Sequence, residues 1–298
     1  GLYTALEVRS GESGLQGAPQ NAPNAQYLLR LAGVSRAGFY RRQEAKAPAK
    51  ADTELRHAIH AIALEHRHYG HRPMTAQLRR DGFDVNRKRV LRLMGEDNLL
   101  ALRKKGFVPQ TTDSRHSFLI APNLIRDLIP SDLDQIWVAD ITYIHMQEAF
   151  AYLAIVLDAF SRRMVGWALG EHLRAELAIE ALDMALLERR PNPQSLIHHS
   201  DRGVQYACND YSRRLADHAI QPSMSAPGNP YHNAKAESFM KTLKKEEVNA
   251  SDYRTISEAR SNIGRFLETT YNRQRLHSAL GYKPPVEFEA DLRQAQTK

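Results

Sequence analysis

The chain has one cysteine, Cys208, in 298 residues. That excludes an internal disulfide and any zinc site built on paired thiolates. The five histidines from His57 to His71 would need such thiolates to form a structural zinc module, and no cysteine precedes Cys208. They are therefore read as surface or DNA-facing groups. Long apolar runs are missing as well. The longest, Ala149 to Leu157, is nine residues, against the roughly 20 that a membrane helix requires. The first residues lack the order of a secretory signal: basic, then apolar, then small. No membrane partner is implied, and the cytoplasm, in association with the nucleoid, is the expected location.

What is present is an uneven charge. The net charge is +7. Residues 1–130 hold 21 Lys and Arg against 12 Asp and Glu, or +9, while residues 131–298 hold 20 against 22, or −2. A basic leading part on a body of different purpose suggests nucleic-acid binding, although a solvated basic surface reads the same way. Residues 1–25 are rich in small and turn-forming types and are expected to be a flexible lead. Residues 26–48 outline two short helices broken at Gly33, with Ser35 as a cap and Arg36, Arg41 and Arg42 as candidate DNA contacts. Residues 49–100 repeat the outline more strongly. One helix stops at Gly82, and Asn86 caps another that carries Arg87, Lys88, Arg89 and Arg92. Residues 101–130 read as a linker, 131–290 as a core with C-terminal helices, and 291–298 as a tail.

From residue 131 the period shifts to strands. "QIWVADITYIHM", "AYLAIVLDAF" and "RRMVGWALG" form an antiparallel meander. Then follow a helix closed by Pro191, the strand "SLIHHS", a helix, the short strand "IQPSMS" and further helices. This order predicts an α/β, RNase H-like mixed-sheet core preceded by small all-α helix-turn-helix units. Within it, "WVADITYI" alternates apolar residues on both faces of the pleat except at Asp140. An unpaired carboxylate in such a strand is costly. Asp201 follows "SLIHHS" at the strand's C-terminal end, and Glu237 lies on the helix "NAKAESFMKTLKKEE". Asn233, Lys241 and Lys244, candidate contacts to a DNA backbone, share a stripe with Glu237, next to the packing stripe of Ala236, Phe239 and Leu243. Taken singly, each carboxylate also reads as a buried ion pair, a turn former or a solvated helix residue. Brought together they would repel without cations. Oxygen-only donors suit Mg²⁺ or Mn²⁺, and two such ions would activate a nucleophile and stabilise a leaving oxygen at a phosphodiester. Asp158 is read as a turn anchor before "SRR".

The motifs "WVADITYI", "LDAFSRRMVGWAL", "HHSDRGVQY", "SMSAPGNPYHNAKAESFMKTLKKE" and "YNRQRLHSALGYKPP", in this order, resemble those of the OrfB-type transposases of bacterial insertion sequences, within the retroviral-integrase superfamily. The likeness covers nearly everything after about residue 53. The family's two aspartates and a glutamate separated from the second by 35 residues, with a basic residue seven further on, match Asp140, Asp201, Glu237 and Lys244. The resemblance implies that the triad holds two Mg²⁺ or Mn²⁺ ions and cleaves and joins DNA through a 3′ hydroxyl; His198 and His199 beside Asp201 read either as groups supporting the triad or as structural residues. It also implies double-stranded DNA partners (terminal inverted repeats and target), and a homo-oligomer on that DNA. His232 stands where the family often has Asp. The chain opens on Gly1, which is compatible with trimming or with fusion to, or a complex with, an upstream reading-frame product. The rival reading is a non-catalytic DNA-binding repressor or a domesticated remnant.

Overall fold

In the computed structural model, residues 50–99, 118, 120–225 and 233–296 are described. The segment 26–48, with Arg36, Arg41 and Arg42, lies outside them. The described chain opens on α1 (Lys50–Glu65), α2 (His71–Arg80) and α3 (Arg87–Glu96). Helix α2 ends before Gly82, whose φ of 90° is the left-handed conformation that glycine alone adopts freely. Asn86 caps α3 by accepting from the Arg89 amide at 2.9 Å. Met74 and Leu78 of α2 and Val90, Leu93 and Met94 of α3 turn inward, so Arg87, Lys88 and Arg92 are left on the exposed side and Arg89 is half-buried.

The sheet is built from β1 (Ile136–His145), β2 (Phe150–Asp158), β3 (Met164–Gly170), β4 (Ile197–Ser200) and β5 (Gln221–Met224). Its order is β3-β2-β1-β4-β5. The first three strands are the antiparallel meander read from the sequence, and β4 and β5 add in parallel. Both faces of β1 are covered, as its doubly apolar pattern requires. Against Trp137, Ala139 and Ile141 lies a core with α4 (Ala175–Arg189), α5 (Val204–Ala207) and α6 (Asn209–Asp217). Against Val138 and Ile144 lies a second, with α7 (Ala234–Glu246), α8 (Ile256–Arg265) and the wider π turn Phe266–Gln274 that continues it.

Helix α9 (Pro285–Gln296) is tied in by charge rather than by grease. Its Glu289, 1% exposed, accepts from Arg189 at 2.7 and 2.9 Å and from Arg163 at 2.8 Å. Arg189 also meets Asp134 at 2.9 Å and Asp158 at 3.7 Å. Asp158 takes the amides of Asp134, Phe160 and Ser161, so it does anchor the turn that precedes β3. From Ala58 onward the described chain is one compact unit. There Arg80 grips Glu287 through two hydrogen bonds of 2.9 and 2.6 Å, and the Leu276 amide donates to the Tyr69 hydroxyl.

Candidate active site

Strands β1 and β4 pair only briefly: Ile136, Val138 and the residue between them face Ile197, His199 and the residue between. Continued by two residues, that register sets Asp140 opposite Asp201, just where the ladder has ended. Neighbouring strands stand about 4.8 Å apart where they pair, and the Asp201 charge acts on Asp140, so the two carboxylates share the mouth at the end of the parallel β1–β4 ladder. That is the place where α/β sheets collect ligands. Alternation along β1 puts Asp140 on the face of Val138 and Ile144, the face that α7 covers.

The other edge of that mouth is α7. Past Val138, the edge of β1 turned away from β2 has no strand beside it among the described residues, and Asn233, the residue before α7, donates its side-chain amide to the Ala139 carbonyl at 3.1 Å. Asn233 is 8% exposed, and its side-chain oxygen is enclosed without a hydrogen-bond partner. This amide is thus turned into the fold rather than out along the stripe. One turn on, Glu237 is 38% exposed and lies 3.6 Å from Lys241, which is 80% exposed. Lys244 is half-buried, with its ammonium 5.1 Å from the centre of the Tyr143 ring.

Electrostatics join these groups. Burial and the Asp201 charge, with Glu237 adding to them, push the Asp140 carboxyl up to about 7, while the Ile141 amide and Lys244 pull it down. Burial lowers the Lys244 ammonium, and Asp140 opposes that fall. A carboxyl whose ionisation is opposed by burial and by neighbouring carboxylates is one whose ionised form a cation would favour. Among the described residues no three His, Cys, Asp or Glu side chains stand at the separations that hold one metal ion. The donor chemistry of Asp140, Asp201 and Glu237, oxygen alone, is nevertheless that of a hard divalent ion.

The adjacent histidines part company. His199 shares the face of Val138 and bonds Ser223 at 2.9 Å. His198 points the other way, 2.9 Å from the Tyr211 hydroxyl, and burial, with His199 next, drives its imidazole down to about 3. Two residues that sequence reasoning passed over stand at the mouth. Tyr206 has an enclosed hydroxyl with no hydrogen-bond partner. Burial, then Tyr211, Asp140 and Asp201, raise that phenol well above its usual range, which keeps it neutral. The other is Tyr143, in the ring contact with Lys244. Both sit inside the quoted motifs, but as aromatics among apolar residues they read as core. The asparagine cap and basic helix of residues 49–100 supply no group to this mouth; Arg92 there binds Glu96 at 2.8 Å.

A mixed five-stranded sheet of order β3-β2-β1-β4-β5, with acidic residues at the mouth between its parallel strands, defines an RNase H-like core of the polynucleotidyl-transferase class. Two models described as "Integrase core domain" match residues 131–230 and 218–285, and one described as "HTH-like domain" matches residues 50–107. An insertion element IS600 31 kDa protein of Shigella sonnei is 39% identical over 90% of this chain and 99% of its own length. The transposase of element IS904 of Lactococcus lactis is 37% identical over 82% and 98%. Transposase InsF of element IS3A of Escherichia coli is 33% identical over 88% and 92%. The chain belongs to the integrase-core transposases of bacterial insertion sequences.

Proposed function

We propose that this transposase cuts the strands at the ends of its own element and joins them to target DNA, with Asp140, Asp201 and Glu237 as the catalytic carboxylates. The observation that carries the reading is the β1–β4 register. Its continuation by two residues supports a pairing of Asp140 with Asp201, and the tie of Asn233 to the Ala139 carbonyl supports adding Glu237 from the helix that follows. The three would hold divalent cations, Mg²⁺ or Mn²⁺ and two per site, which when bound supply a Lewis acid for the leaving oxygen and a lowered pKa for the attacking hydroxyl. Asp140 is held in the middle of β1 and Asp201 directly follows β4, while Glu237 comes from the packed helix α7. Water serves as the first nucleophile and the freed 3′ hydroxyl as the second, each in line with the bond it breaks, so no protein side chain becomes covalently attached. Lys244 orients the phosphate. Lys241, further out, adds to the field along the DNA backbone. His199 supports the mouth through Ser223, and His198 acts as core.

Arg87, Lys88, Arg89 and Arg92 of α3, with Arg36, Arg41 and Arg42 upstream, are the expected contacts to the terminal repeats. A homo-oligomer that brings two ends together, and an upstream reading-frame product fused to or bound by this chain, complete the assembly. It works on nucleoid DNA in the cytoplasm. The experiment is cleavage and joining of labelled element-end DNA with Mg²⁺ or Mn²⁺. Asp140→Ala, Asp201→Ala and Glu237→Ala should each lose on the order of a thousandfold or more in rate and keep end binding in a gel shift. Substantial cleavage by Glu237→Ala would remove it from the set, and binding by the parent protein without any nicking would favour a repressor.

A further inference from the structure

The edge of β1 beyond Val138 carries one more contact. Lys244 comes two turns after Glu237 on α7 and reaches back over the ring of Tyr143, 5.1 Å from ammonium to ring centre. The ring is itself held. Phe150 meets it edge-on at 5.8 Å and 77°, and Phe150 is edge-on to His145 at 5.2 Å and 89°. Tyr152 faces Tyr143 across the β1–β2 ladder. The Tyr143 hydroxyl is enclosed and makes no hydrogen bond, so what this residue offers Lys244 is the face of its ring.

Lysine has a long stem with several rotatable bonds and orders poorly by itself. The two lysines of this stripe are held in different ways. Lys241 stands beside Glu237 and is largely exposed, an arrangement in which a carboxylate offsets the cation. An aromatic face attracts a cation through its quadrupole and leaves the full positive charge in place. A cation seated in that way is fixed in position and still able to meet an anion.

We propose that Tyr143 is a positioning residue for DNA joining: its ring seats the Lys244 ammonium at a fixed point beside Asp140, where the phosphate at the scissile position finds it already ordered. The proposal rests on the reading of Asp140, Asp201 and Glu237 as the catalytic set and of Lys244 as the phosphate contact. The ring does the work and the hydroxyl does not, so phenylalanine should replace tyrosine here and an aliphatic residue should not.

The test uses the full chain, labelled element-end DNA and Mg²⁺, with Tyr143→Phe, Tyr143→Leu, Lys244→Ala and the Tyr143→Leu/Lys244→Ala double variant. Tyr143→Phe should join DNA within about twofold of the parent, and Tyr143→Leu should lose about 2- to 30-fold, the range of a cation–π contact. In the Lys244→Ala background Tyr143→Leu should cost nothing further, because the group it positions is gone. Full loss on top of Lys244→Ala, or equal losses for Tyr143→Phe and Tyr143→Leu, would overturn the proposal. Should Tyr143→Leu not fold, Tyr143→Val carries the same comparison. A readout independent of activity is the proton spectrum of the parent protein: the Lys244 ε-methylene signal should lie upfield through the ring current of Tyr143. An unshifted signal overturns the seat without any variant. Asp140→Ala separates the two levels. If it still joins DNA the catalytic reading fails, whereas an inactive Asp140→Ala together with an additive Tyr143–Lys244 pair defeats the positioning role alone.

Discussion

Asn233 illustrates how a single residue changes meaning once its neighbours are known. On the helical wheel it shares a stripe with Glu237 and the two lysines and reads as a DNA contact. In the fold its amide belongs to the Ala139 carbonyl, next to Asp140, and it is buried. It therefore couples the strand that bears one carboxylate to the helix that bears another. Asn233→Ala should leave end binding within about twofold yet lower cleavage by on the order of tenfold, since a misplaced acid loses in-line geometry. Its melting temperature should also fall, because the Ala139 carbonyl is left buried without a donor, at a cost of about 1–3 kcal/mol. Gel shifts and cleavage rates on one preparation decide the matter. A loss of binding as large as the loss of cleavage would return Asn233 to the DNA.

At the scale of elements, the position of the site depends on how closely α4 lies on the meander. Gly166 in β3 makes that approach. A Cβ there would stand 2.1 Å from the Ala181 carbonyl oxygen and 2.8 Å from the Ala185 amide nitrogen, backbone atoms that cannot swing aside. Ala178, Ala181 and Ala185 of α4 are small for the same reason. Gly166→Ala should push the helix off the sheet and destabilise the protein by about 3 kcal/mol or more, which for a unit of this size is a fall of roughly 6–12 °C in Tm. A thermal melt of the variant within a degree or two of the parent would show that the helix yields cheaply. The Asn86 cap and the Gly82 turn are local devices of the same kind, and both follow from residue type alone.

Across the whole molecule, buried ionisable groups make stability depend on pH. Burial and the charge of His199 hold His198 at about 3, and burial and Arg275 hold His277 at about 3, both from an ordinary 6.5. Their folded-state pKa values lie below the unfolded ones, so the unfolded chain binds more protons between about 3 and 6.5. The stabilisation is complete above 6.5 and is lost steadily as pH falls through that window. Each histidine contributes about 1.4 kcal/mol per pH unit there, and the Asp140 carboxyl, raised to about 7, works in the opposite sense over the same window; in the Asp140→Asn background, which removes that opposing contribution, moving from pH 7.5 to pH 5 should remove about 4 kcal/mol from the urea-unfolding free energy. Glu289 is pulled low by Arg189 and Arg163 in spite of burial, and its contribution disappears only in stronger acid. Equal stability at the two pH values would mean that both histidines are protonated in the fold without penalty.

The order of elements and the capped basic helix were legible in the sequence, and the three carboxylates proposed as catalytic were picked out there by their positions. Period, turn residues and caps act over a few positions, and a charged residue in an otherwise apolar strand stands out against its immediate neighbours. Asp158 was legible as a turn anchor because "DAFSRR" is a local pattern. The rest depended on which chain segments meet. The register that sets Asp140 opposite Asp201 is a property of two strands about 60 residues apart. The inward turn of Asn233 needs a β1 edge that no strand covers. The seat of Lys244 needs Tyr143 to be reached from a helix a hundred residues later, and the Arg189–Glu289 pair joins a helix end to the final helix. Hydrogen-bond ladders and ion pairs between distant segments are selected by the packing of the whole core, and that packing leaves no periodic trace in the residues that make them.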